Sequence, residues 1–209
     1  MAAYTTIDDP GLFFTAFLYS GDASTSPKSF NAKTGVGFQP DMTWHKSRTS
    51  TGWHGVVDSV RGADADPGCV AFYPNATNAE QSNTDEYLDG YQSDGFKTGE
   101  NGSFGAPSQN YVAWCWKMGT TSGISGTGNL TVNGYSFNST AKQSVIDYTG
   151  NGGSSGTYTH GLGSAPGFIF GKNRDEAGDG WFVYHHKNTA SPETDYLVLN
   201  TTAATVARV

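Results

Sequence analysis

The chain has 209 residues, 36% hydrophobic and only 15% charged, with 28 glycines and a net charge of −7. That length suits one or two domains, and an acidic balance with no run of Lys or Arg excludes a nucleic-acid groove, which needs clustered cations to displace counterions. No stretch approaches a membrane span, and residues 1–19 lack the basic-then-apolar order of a signal peptide, so the sequence reads as a soluble protein made in a cytoplasm.

Ser, Thr, Asn and Gly fill the place of charge, and these are poor helix formers that favour short strands and many turns. In chain order, Phe14 to Ser20, Asp41 to Lys46, Gly55 to Val60, Gly68 to Tyr73 and Gln109 to Lys117 carry apolar runs or alternation that predict strands. Ser93-Asp94-Gly95-Phe96 is a hairpin signal, because Asp-Gly supplies the positive φ of a tight turn. Residues 118–129 are almost wholly Gly, Ser and Thr and read as a linker, with Gly134 to Asn138 as a connecting strand. Further strands are expected at Ser144 to Gly150, Gly167 to Lys172, Gly180 to His186 and Tyr196 to Asn200. No stretch of ten or more residues carries a helical period. Cys69 and Cys115 are the only cysteines; neither has a partner at zinc-ligand spacing, and Cys115 within Trp114-Cys115-Trp116 reads as a small core residue.

The chain repeats itself once. Pro40, Lys46 and Arg48 recur at one constant spacing as Pro166, Lys172 and Arg174; Tyr19-Ser20-Gly21 recurs as Tyr148-Thr149-Gly150, and Trp53 matches Trp181 within a few residues of that spacing. The period is too long for a solenoid unit, so each copy is a small domain. The second copy lacks counterparts of Ser93-Asp94-Gly95-Phe96 and Tyr111-Val112-Ala113-Trp114. A sheet left unfinished there predicts either a chain cut from a longer one, which is favoured, or strands lent by a neighbour.

Ala3-Tyr4-Thr5-Thr6-Ile7-Asp8-Asp9-Pro10, Val36-Gly37-Phe38-Gln39-Pro40-Asp41, Asp58-Ser59-Val60-Arg61-Gly62 and Tyr111 to Lys117 carry a resemblance. So do His160-Gly161-Leu162-Gly163-Ser164-Ala165-Pro166 and Lys172-Asn173-Arg174 in the second copy. Together these motifs cover nearly the whole chain, which resembles a family of marine bacteriophage (cyanophage-type) virion repeat proteins, tail-fibre-like or capsid-appended. The resemblance implies lectin-like β-sandwich modules of jelly-roll type on the outside of a virion.

The fold expected is all-β: tandem antiparallel β-sandwich modules, the second incomplete. An extended anchor over 1–11 precedes a first module over 12–118. A Gly/Ser/Thr-rich linker over 119–143 leads to a truncated second module over 144–209. The function expected is a non-enzymatic virion structural protein, a fibre or surface appendage. It is assembled as an oligomer and held to other virion proteins by strand addition or a groove contact at Tyr4, Ile7, Asp8, Asp9 and Pro10. The alternative is an adhesin for host surface glycans. Its rings would stack on pyranose faces and its imidazoles bond hydroxyls at Trp53, His54, Trp181 and His185, set against ordinary alternation of core and solvent positions.

Other constellations are weaker. His185-His186 on one strand point to opposite faces and cannot share an ion, so no metal site is expected. Calcium at Asp64 and Asp66, or at Asp175 and Asp179, competes with plain turn chemistry. Gly150-Asn151-Gly152-Gly153 has no following Lys-Ser and is a turn rather than a phosphate cradle. A glycan depolymerase, with two carboxylates facing across a cleft, is the third reading. The paired Lys46/Arg48 and Lys172/Arg174 suggest an inter-module or inter-subunit salt bridge, or cations guarding an edge strand.

Overall fold

The structure, a computed structural model, describes residues 7–21, 28–30, 36–62, 69–82, 87–99, 102–124, 128–153 and 155–207. The first module contains β1 (Phe14–Ser20), β2 (Lys28–Phe30), β3 (Met42–Ser47), β4 (Gly55–Asp58), β5 (Val70–Ala71), β6 (Gln81–Ser82), β7 (Leu88–Gln92), β8 (Gly95–Thr98) and β9 (Asn110–Trp116). The second contains β10 (Thr131–Asn138), β11 (Gln143–Thr149), β12 (Phe168–Gly171), β13 (Phe182–His185), β14 (Asp195–Val198) and β15 (Val206–Ala207). The chain is all-β, and every pairing described is antiparallel.

In the first module a sheet ordered β1-β9-β3-β4 faces one ordered β2-β8-β7. Burial alternates along β9, so Tyr111, Ala113 and Cys115 turn inward while Val112, Trp114 and Trp116 face out. The inward side meets Phe17 and Tyr19 of β1, Leu88 of β7, Phe96 of β8 and Phe104 in one core. Cys69 and Cys115 are buried in this core without a disulfide between them, and burial pushes the Cys115 pKa up to about 12. Gly55 is required by that packing, because a Cβ there would lie 2.2 Å from Phe104 Cζ. The β7–β8 hairpin forms where expected, but neither Asp94 nor Gly95 has a positive φ. The two-residue loop is Ser93-Asp94, and Gly95 already belongs to β8, opposite Gln92.

The second module rebuilds part of the first. Phe168↔His185 and Phe170↔Val183 in β12–β13 repeat Met42↔Asp58 and Trp44↔Val56 in β3–β4. Asp195↔Ala207 in β14–β15 repeats Val70↔Ser82 in β5–β6, and β11 corresponds to β1 over its 7 residues. Counterparts of β7, β8 and β9 do not occur among the described residues.

Within the expected linker 119–143, the connecting strand expected at Gly134 to Asn138 is present and longer: residues 131–138 form β10, which pairs with β11 along its length and with Thr120 on its other side through Phe137. Its register with β11 shifts once, between Val132 and Gly134. One sequence expectation needs correction. The expected extended anchor over 1–11 is not extended at its described end. Pro10–Leu12 is a 3-10 turn whose first turn is capped by the Asp9 carboxylate accepting from Gly11 N–H at 2.9 Å.

Candidate functional site

The outward side of the β1-β9-β3-β4 sheet does not face water throughout. Met42, Val56 and Met118 are buried there against Trp44 and Trp116 on their own module and against Val145 and Phe170 on the other. Strand register makes Phe170 the counterpart of Trp44, and the two rings touch at 6.1 Å between centroids. Trp44 Nε1 donates to His54 Nδ1 at 2.8 Å, while Phe170 packs on Trp181 at 6.0 Å. Trp44 with His54 and Phe170 with Trp181 therefore form like pairs, which meet where Trp44 touches Phe170.

That register overturns the sequence match of Trp53 with Trp181. Gly55 and Phe182 hold the same place opposite β3 and β12, so Trp181 stands where His54 stands. The backbone N–H groups of His54 and Trp181 each donate to an asparagine Oδ1, of Asn75 and Asn200 respectively, at 2.9 Å. Moving one residue along a strand exchanges faces. Trp53 is accordingly 47% exposed, its ring edge-on to Tyr73, whereas Trp181 is 3% exposed with its Nε1 donating to the Tyr73 carbonyl. The expectation of a Trp181 ring open to a glycan is thus corrected: it is interior to the junction.

A chain of alternating charges closes the same junction. The Asp58 carboxylate caps Arg61 N–H and accepts from its Nε at 2.7 Å. Arg61 reaches Glu80 at 2.9 Å, and its guanidinium lies 4.1 Å over the Phe72 ring. Glu80 in turn accepts from Arg174 of the second module at 2.8 Å, and Arg174 also donates to Asp147 at 2.5 Å. Burial alone would raise the Glu80 pKa, but hydrogen bonds from Arg174 and Arg61 carry it below the usual carboxylate range. The same hydrogen bond to Glu80, then that to Asp147, raises the Arg174 pKa despite partial burial. The inter-module salt bridge expected of the repeated Lys/Arg pair is formed by Arg174. Lys46 and Lys172 serve another purpose: each Nζ donates to carbonyls one and four residues on, Ser47 and Ser50 in one copy, Asn173 and Glu176 in the other. The repeated lysine staples its own turn.

Beside the aromatic quartet, Trp44, His54, Pro74 and Asn75 of one module face Leu199, Asn200, Thr201 and Thr202 of the other across a groove of about 660 Å³. Partial burial and then Lys46 lower the His54 pKa, so the ring is neutral, with Nδ1 occupied by Trp44 and Nε2–H left as a donor. One indole, one imidazole donor, two amides and two hydroxyls are the inventory that recognises a polyhydroxylated ligand. Sequence reasoning found His54 but not Trp44, Asn75 or Asn200. The repeated Asn, three residues past the paired Phe72 or Leu197, was the available signal.

The remaining expected residues are dispersed. Tyr4 lies outside the described residues, as do Asp64 and Asp66. Ile7 is half-buried, and Asp8, Asp9 and Pro10 are exposed at the entrance to β1. His185 accepts from Lys187 N–H through Nδ1, and its ring stacks on His186 at 5.0 Å, because β13 ends at His185 and His186 already belongs to the turn. Asp179 accepts from the Asn173 side chain, and Asn173 caps Asp175 N–H, which is turn chemistry. Among the described residues no three His, Cys, Asp or Glu side chains gather in a way that would hold a metal ion.

A family model described as a domain of unknown function, DUF7483, matches residues 9–209. The chain belongs to this family. The match runs through both modules and the junction between them, so the family's unit includes the pair. No curated protein and no solved structure matches the chain.

Proposed function

We propose that this chain is a non-enzymatic structural protein of a bacteriophage virion, a fibre or surface appendage assembled from copies of itself and other virion proteins. The observation that carries the proposal is the welded junction. Two β-modules that sequence would leave swinging on a linker are joined face to face by Trp44, Phe170 and Trp181 and by the Asp58–Arg61–Glu80–Arg174–Asp147 chain. A stiff tandem suits a part that transmits load or holds a spacing, and the resemblance to virion repeat proteins extends over both modules. Fold alone does not select among functions. The test is immunogold labelling of intact particles with antibody to the chain. Labelled particles support the proposal; antigen found only in the particle-free fraction of the lysate overturns it.

A second reading, an adhesin for surface glycans, is favoured by the groove lined by Trp44, His54, Asn75 and Asn200, with the exposed Trp53 ring one residue from His54. A glycan array run with wild type, Trp53→Ala and Asn200→Ala tests it. Binding weakened about tenfold or more by Asn200→Ala supports the groove. Equal binding by all three proteins, or none, removes it.

A further inference from the structure

The repeat supplies its own template for an interaction surface. In the first module β9 lies between β1 and β3 and pairs with both. Hydrogen bonds from Lys117 N–H to the Phe13 carbonyl and from Gly21 N–H to that of Gln109 bracket the β1–β9 ladder. Thr15, Phe17 and Tyr19 therefore turn their backbone groups to β9, since these alternate between the two edges of a strand. Arg48 N–H bonds the Asn110 carbonyl, so Met42, Trp44 and Lys46 turn theirs to β9 from the other side.

The counterparts in the second module keep those directions, and no strand among the described residues pairs with β11 or β12 on those edges. Phe137 spends its backbone groups on Thr120, so β10 meets β11 at Gln143 and Val145. The Ser144, Ile146 and Tyr148 backbones consequently face the other edge, the one β9 occupies on β1. His186 N–H bonds the Gly167 carbonyl, which commits Gly167, Ile169 and Gly171 to β13 and leaves Phe168 and Phe170 facing outward from β12. No hydrogen bond among the described residues uses these five backbones on that side. On β11 the Ser144 Oγ and Gln143 Oε1 are buried with no hydrogen-bond partner. Phe168 and Tyr148 are 54% and 46% exposed. The site is continuous with the junction already described, because Val145 and Phe170, its two flanks, pack on the first module.

We propose that the space between β11 and β12 is a strand-acceptor site for an extended peptide segment patterned like β9. The occupant pairs with both strands, and its aromatic side chain at the place of Trp114 falls between Val145 and Phe170, as Trp114 lies between Ala16 and Trp44. β9 itself lies inside its own sheet, between β1 and β3, and is not free to be donated; the occupant proposed is a partner's apolar strand of the same pattern.

The probe is a synthetic peptide of residues 109–117, Gln-Asn-Tyr-Val-Ala-Trp-Cys-Trp-Lys, added to the full chain. Binding is read by fluorescence anisotropy, and amide hydrogen exchange locates it. Expected is exchange slowed by about tenfold or more at Phe168, Phe170, Ser144, Ile146 and Tyr148. The same peptide N-methylated at Ala113 and Trp114 loses one donor to each neighbour, and its affinity falls by about tenfold or more. Phe168→Pro, at the first position of β12, removes one edge donor and weakens binding while the melting curve stays cooperative. Absence of binding, equal binding of the methylated peptide, or protection on β1 instead of β11 and β12 each overturns the proposal. The N-methyl control keeps the test decisive should Phe168→Pro not fold.

Discussion

His45 is fully buried between the Phe96 and Phe104 rings. Tyr19 Oη gives its proton to the Phe104 carbonyl, so the bond between Tyr19 Oη and His45 Nδ1 has His45 as donor, leaving Nε2 without a partner. A buried imidazole of this kind stays neutral, and burial lowers its pKa to about 3 from the ordinary 6.5. Below pH 6.5 the unfolded chain binds a proton there that the fold refuses. Stability is therefore retained above that pH and falls on acidification toward pH 3, by up to about 1.4 kcal/mol per pH unit from this residue. Melting temperatures between pH 7 and pH 3.5 check this, and His45→Leu is expected to flatten the slope. The two tryptophans that look equivalent in sequence separate at the same scale. Trp181→Ala removes an interior ring and is expected to cost about 3–5 kcal/mol, Trp53→Ala about 1 kcal/mol or less, both by urea titration. Nothing in the residues around Trp53 and Trp181 distinguishes them; the one-residue difference in register does, and that is set by strands elsewhere.

At the scale of elements, the junction depends on side chains whose partners lie far along the chain. Glu80 precedes β6, yet it holds Arg174 beyond β12. Arg174 is 35% exposed and screened by solvent, so Arg174→Met is expected to cost about 1–2 kcal/mol, less than a fully buried pair. The second module should then unfold before the first, appearing as two transitions in urea where wild type shows one. Because the Glu80 pKa is depressed, its contribution is complete above its ordinary value of 4.5 and lost as pH falls through the lower folded value. Asp41 joins β10 to the first module, accepting from Ser136 Oγ at 2.7 Å, Met118 N–H at 2.8 Å and Ser59 Oγ at 3.2 Å. Asp41→Ala leaves these donors buried without an acceptor and is expected to cost about 3 kcal/mol by the same titration. Asp41 was legible in sequence only as the start of a strand, because Gly167 stands at its place in the second copy and no repeat points to it.

For the whole molecule, the junction predicts how the parts behave alone. Residues 1–118 expressed by themselves expose Met42, Trp44, Val56 and Trp116, which the second module covers. That fragment is expected to self-associate in light scattering while the full chain does not do so through this face; a fragment monomeric at high concentration would count against the junction as drawn. The amino-acid sequence by itself determined the all-β class, most strand positions and the tandem repeat. Each of these follows from local chemistry: the alternation of apolar residues, the poor helix propensity of Ser, Thr, Asn and Gly, and self-similarity along the chain. Only the tertiary structure decided which Trp is interior, that the strand expected at 134–138 starts at Thr131 and pairs with β11, and that one repeated cation bridges modules while the other staples a turn. These outcomes rest on register and on contacts between residues distant in sequence, whose energies depend on burial and partner geometry that no local pattern encodes.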